Sequence, residues 1–147
     1  MAERLIRQLT QAGRFVRRRP GEALLLVRMA GWVLTLSLLI KVLPLPRVLR
    51  LVAAPARKVR RGLSDERLAQ LVDLLLGINL LVFTPTCWKR APVLHRYLAL
   101  NGIQTRILFG VRKNGGPLLD GHAWLERDGQ PIFETNPPDY VVTYSYP

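Results

Sequence analysis

The chain has 147 residues, of which 49% are apolar and 22% charged, enough carbon for one core and too little length for a multidomain machine. That balance excludes a disordered tail or a low-complexity chain. The formal charge of +12 is unevenly spread: residues 1–61 hold 14 Lys and Arg against Glu3 and Glu22, while residues 62–147 hold 8 charges of each sign.

The division at residue 61 suggests two regions, a basic Leu/Arg-rich helical part over 1–61 and a core over 62–147. The first nineteen residues are basic and helix-compatible, ending at Arg17-Arg18-Arg19 before the breaker Pro20-Gly21. Residues 23–40 are apolar apart from Arg28, which leaves an unbroken run of only twelve residues, Met29 to Ile40. A span needs about 20, so the expectation is a core helix, with membrane contact as the rival. A cleavable signal peptide fits poorly, because Lys41 and Pro44 stand where small residues are required. The polybasic stretch Arg47, Arg50, Arg57, Lys58, Arg60 and Arg61 keeps peripheral contact with anionic lipid in view. Its arginines alternate with aliphatic rather than aromatic residues and carry no nucleic-acid motif, which argues against nucleic acid as a partner.

Ser64-Asp65-Glu66 opens a second helix with an N-cap serine and two acids on the helix dipole. Its run from Leu68 to Phe83 is apolar nearly all round, predicting a central buried helix. A third helix follows Thr84-Pro85-Thr86 and stops at Asn101-Gly102, with Pro92 restricted to its first turn or to a kink. From Ile103 the period becomes strand-like: Thr105 to Arg112, Leu119 to Glu126, Ile132 to Glu134, and Tyr140 to Tyr146 as an edge. The fold class is therefore α+β, helices first and a small antiparallel sheet after them.

Cys87 is the lone cysteine, which matches a reducing, cytoplasmic compartment and excludes an internal disulfide. With only His95 and His122 beside it, a structural zinc site is excluded, and no cofactor is implied. A lone cysteine is more often a small buried hydrophobe. At a helix N-terminus, however, unpaired N–H groups stabilise a thiolate, and Lys89 and Arg90 add positive charge.

His122 lies inside the segment Asp120 to Glu126, where alternation sets His122, Trp124 and Glu126 on one face and Ala123 and Leu125 on the other. A three-residue loop Arg127-Asp128-Gly129 pairs Glu126 with Gln130 and His122 with Glu134. A two-residue loop instead brings Thr135 opposite His122 and turns Glu134 to the wrong face. A thiol, an imidazole and a carboxylate together make a nucleophile, a proton carrier and an orienter. His95, two turns beyond Cys87, reads as structural or exposed.

The run Thr86-Cys87-Trp88-Lys89-Arg90-Ala91, with Leu94 to Leu100, Asn101-Gly102-Ile103, Gly110-Val111-Arg112 and Gly121 to Glu126, resembles the transglutaminase-like cysteine peptidases of lasso-peptide maturation, in their stand-alone form. The resemblance covers about residues 64–136. It implies a papain/transglutaminase-like core, Cys87 as nucleophile and His122 as general base and acid. Glu134 stands where the family usually has aspartate, with Asn136 and Asp139 as alternatives. It also implies a precursor peptide with a leader as substrate, a separate leader-recognition protein for which this chain has no room, and an ATP-dependent lasso cyclase acting afterwards. Two other readings stand beside it: a catalytically silent, membrane-associated adaptor docked through the basic N-terminal half, in which the triad is incidental, and an acyl transferase that uses the same residues.

Overall fold

The computed structural model describes residues 19–55, 62–78, 83–84, 86–113, 115, 118–135 and 138–147. The basic segment before Arg19, four of the polybasic residues (Arg57, Lys58, Arg60, Arg61) and Asn136 lie outside the described residues.

Helix α1 spans Pro20–Val42, with proline in the first turn where its missing N–H costs nothing. Helix α2, Leu45–Val52, had no counterpart among the elements expected from the sequence. It starts at a second proline pair and buries Val48, Leu49 and Val52, leaving Arg47, Arg50 and Leu51 outside. Helix α3 is Asp65–Leu76, capped by Ser64, whose Oγ accepts the Arg67 N–H at 3.2 Å. It departs from expectation twice. It ends at Gly77 instead of running to Phe83, and it is amphipathic: Leu68, Leu71, Val72, Leu75 and Leu76 are buried while Asp73 and Leu74 face out. Helix α4, Cys87–Leu100, begins and stops where expected. Pro92 sits inside it, beyond the first turn, leaving the Trp88 carbonyl without its usual helical N–H partner.

The sheet is antiparallel, in the order β3-β2-β1-β4, with β1 at Arg106–Lys113, β2 at Leu119–Arg127, β3 at Gln130–Ile132 and β4 at Val141–Tyr146. One face of the sheet, carrying Ile107, Phe109, Ala123 and Leu125, joins Val33, Leu36, Val48, Leu71, Leu94 and Leu98 in a single core. The opposite face carries Leu108, Gly110, His122 and Trp124. This is the α+β architecture of helices followed by a small antiparallel sheet.

The β2–β3 hairpin takes the second of the two registers open from the sequence. Arg127 pairs with Gln130 and Leu125 with Ile132, so the loop is the two residues Asp128-Gly129, not three. Both have positive φ, 52° and 77°, as a type I′ turn requires.

Candidate active site

Cys87 is the first residue of α4, and Thr86 before it is extended. The Thr86 carbonyl accepts the N–H groups of Lys89 and Arg90 at 3.1 and 3.0 Å, so the Cys87 and Trp88 N–H groups stand at the open end of the helix. The thiol is free and half-buried. Lys89 folds back to Thr84, its Nζ donating to Oγ1 at 2.8 Å and lying 5.0 Å from the Trp88 ring centroid. Burial lowers the Lys89 pKa.

His122 occupies the middle of β2, opposite Gly110. Its ring stacks on Trp124, centroids 5.8 Å apart and planes 14° apart, and meets Tyr140 at 5.2 Å. Glycine at 110 makes this possible, since a Cβ there would lie 2.8 Å from the Tyr140 Cβ and 3.0 Å from two Trp124 ring carbons. Without that atom, Tyr140 drops onto the sheet beside the imidazole.

His122 Nε2 and Glu134 Oε2 are 3.1 Å apart, the N–H donating to the carboxylate. The contact forms although the hairpin has the two-residue loop, for which alternation alone sends Glu134 to the other face. Regular pairing ends at Ile132, and Phe133 takes a left-handed φ of 58°. That one residue reverses the alternation and returns Glu134 to the His122 face. Because β3 and β4 lie at opposite edges, the chain between them must cross the sheet. Glu134 against His122 and Tyr140 over Gly110 mark that crossing on the face away from the core.

A second helix residue reaches the same carboxylate. Arg90 binds Asp73 of α3 through Nε at 2.6 Å and Nη2 at 3.1 Å, and its Nη1 lies 3.9 Å from Glu134 Oε1. Asp73, then burial, then Glu134 decide its basicity, and the net effect raises it. Arg90 thus does not offer a free charge to Cys87, as its sequence position suggested; it spans α3, α4 and the crossing segment. Tyr140 donates its hydroxyl to Asp120 Oδ2 at 2.8 Å, and Arg112 donates to the same oxygen at 3.0 Å. The phenol pKa is raised, first by that hydrogen bond and then by burial. Cys87 opens α4, and α4 packs on β2, the strand that carries His122.

Other expected residues fall elsewhere. Asp139 is exposed. His95 is buried, its Nδ1 2.9 Å from Thr105 Oγ1 and its ring edge-on to Tyr146, and desolvation lowers its pKa to about 4. It is structural. The contact of Arg90 with Glu134 and the place of Tyr140 beside His122 were missed by the sequence reading; both are long-range, and only Gly110 in a strand hinted at a close approach. Among the described residues no cluster of three or more His, Cys, Asp or Glu is arranged to hold a metal. Two surface depressions, of about 550 and 490 Å³, are lined by residues such as Arg28, Tyr97 and Leu100 and by none of Cys87, His122 or Glu134.

The family model described as the transglutaminase-like superfamily matches residues 30–145, well over half of the chain and all of the elements just described except the start of α1 and the last residue of β4. No curated protein and no solved structure matches. With helices preceding a small antiparallel sheet, a cysteine opening the last helix, and an imidazole held by a carboxylate on the sheet, the chain belongs to the transglutaminase-like superfamily, which includes cysteine peptidases and acyltransferases.

Proposed function

We propose that this chain is a cysteine endopeptidase that cleaves the leader from a ribosomally made lasso-peptide precursor. The observation that carries the chemistry is the His122–Glu134 hydrogen bond on β2, the strand against which the Cys87 helix packs. The substrate class rests on the resemblance of the Cys87 and His122 segments to leader peptidases.

In this reading Glu134 holds the proton on Nε2, which makes Nδ1 the basic nitrogen. Nδ1 takes the Cys87 proton and the thiolate attacks the scissile carbonyl. The Cys87 backbone N–H, at the open end of α4, donates to the developing oxyanion. The tetrahedral intermediate collapses as His122 returns the proton to the leaving amine, freeing the core peptide and leaving the leader as a thioester on Cys87. Water, deprotonated by His122, then hydrolyses the thioester and regenerates the thiol. Tyr140 and Trp124, in contact with each other, both pack against the imidazole and hold its plane. Arg90, through its contact with Glu134, positions the orienting carboxylate rather than touching substrate.

The partners in this reading are the precursor, a separate leader-recognition protein and the ATP-dependent cyclase that follows. The test incubates purified protein with precursor and recognition protein and follows both fragments by mass. Wild type yields leader and core; Cys87→Ala and His122→Ala yield neither, while still binding the precursor complex. Cleavage by Cys87→Ala would overturn the assignment. Products in which the leader is joined to an added amine rather than bearing a free carboxylate would replace hydrolysis by acyl transfer.

A further inference from the structure

Helix α1 is apolar almost all round, yet it gives one face to the protein. Met29, Val33, Leu36 and Ser37 are buried, whereas Leu24, Val27, Leu34, Leu38 and Val42 are exposed, Val27, Leu38 and Val42 by 68, 66 and 75%. At 3.6 residues per turn the five exposed positions form one stripe about 80° wide, on the side opposite Met29 and Val33. The helix has 23 residues and a mean hydropathy of 2.1 in its most apolar window, long and apolar enough to cross a membrane. Its contacts along the protein argue against crossing. Glu22 in the first turn is ion-paired with Arg67 of α3 at 2.6 Å, Arg96 of α4 lies 3.8 Å from the Trp32 ring centroid, and Val33 and Leu36 enter the core. These contacts hold the helix lengthwise along the protein, which favours an orientation in the plane of a membrane surface.

Charge selects the surface. Arg28 and Lys41, both exposed, border the stripe on its two sides, and Arg47 and Arg50 of α2 are exposed as well. The one carboxylate in residues 19–55 is Glu22, buried in its ion pair. Beyond them, the whole formal charge of +12 belongs to residues 1–61. A second copy of so cationic a face is repelled, and nucleic acid offers nothing to an aliphatic stripe. We propose that α1 lies in the plane of an anionic bilayer, with Leu24, Val27, Leu34, Leu38 and Val42 in the acyl boundary and Arg28 and Lys41 at the lipid phosphates.

The experiment is flotation of the full chain with vesicles of phosphatidylcholine alone or mixed with phosphatidylglycerol. Binding to the mixed vesicles is expected to be at least about tenfold tighter and to weaken in high salt. The double substitution Leu34→Glu/Leu38→Glu is expected to lower it about tenfold or more at an unchanged melting temperature, since both side chains are exposed. Arg28→Glu/Lys41→Glu removes the preference for phosphatidylglycerol and keeps the fold. The proposal is overturned by equal binding to both vesicles, by no binding, or by folded Leu34→Glu/Leu38→Glu protein that binds like wild type. It is also overturned if the lipid-free chain is a dimer that this double substitution dissociates, which would assign the stripe to a second copy.

Discussion

Replacing Gly110 by alanine adds a single methyl group at the point where the crossing segment presses on the sheet. The new Cβ would stand 2.8 Å from the Tyr140 Cβ and 3.0 Å from Cζ3 and Cη2 of Trp124, against a preferred carbon–carbon separation of about 3.5–4.0 Å. The Tyr140 contact is the more costly, because a Cβ cannot withdraw without its backbone. Such overpacking costs about 1–3 kcal/mol, or roughly 2–12 °C in melting temperature for a domain of this size. The damage is not confined to stability. Tyr140 and Trp124 flank the His122 ring, so displacing them tilts the imidazole and slows reaction of Cys87. Gly121→Ala is the control, since its nearest heavy atom is the Gly110 carbonyl oxygen at 4.0 Å; it is expected to change stability by less than about 0.5 kcal/mol. Thermal melts of both variants, with Cys87 alkylation measured alongside, check the reasoning. Gly110→Ala protein as stable and as reactive as wild type would refute the packing of Tyr140 over the sheet.

Other perturbations separate structural from catalytic groups. Arg90→Ala is expected to slow peptide cleavage about tenfold by loosening Glu134, with Arg90→Lys recovering little because an ammonium cannot make the bidentate contact to Asp73; steady-state kinetics decide this, with the loss in kcat rather than KM. His95 is held neutral in the fold, its pKa lowered to about 4, so its contribution is present above the unfolded value near 6.5 and is lost as pH falls from there towards 4. Over that window wild type loses up to about 3 kcal/mol that a folded His95→Gln variant does not, measured by chemical denaturation at several pH values. The Glu22 pKa is lowered, first by its hydrogen bond from Arg67; its contribution is therefore present above the ordinary carboxylate value and disappears as pH falls through the lowered one. Glu22→Gln is expected to flatten the acid limb of the stability curve.

The start of α4 was legible because Thr84-Pro85-Thr86 followed by a helical period leaves few places for a helix to begin, and Ser64 marked α3 in the same way. Both hairpin loops were open from the sequence, and the Asp128-Gly129 pair, the signal of a two-residue type I′ turn, is what decides between them. Glu134 nevertheless meets His122, because Phe133 adopts a left-handed conformation that no local pattern announces in an aromatic residue. The apolar run continues past the end of α3 and hides it, although Gly77, the C-cap, favours a stop. In α1 the apolar run was plain, but which side it buries depends on α3 and α4, and the all-round apolar sequence contains no such information. Arg90 and Tyr140 reach the site across 44 and 18 residues to Glu134 and His122, as counted along the chain; only the folded topology brings them there.

The most direct test of the account is the rate at which iodoacetamide alkylates Cys87 at neutral pH in wild type, His122→Ala and Glu134→Ala, each shown to be folded. The account expects wild type to react fastest, His122→Ala to be slower by about tenfold or more, and Glu134→Ala to fall between them. Equal rates in all three folded proteins would contradict a thiol–imidazole pair oriented by Glu134.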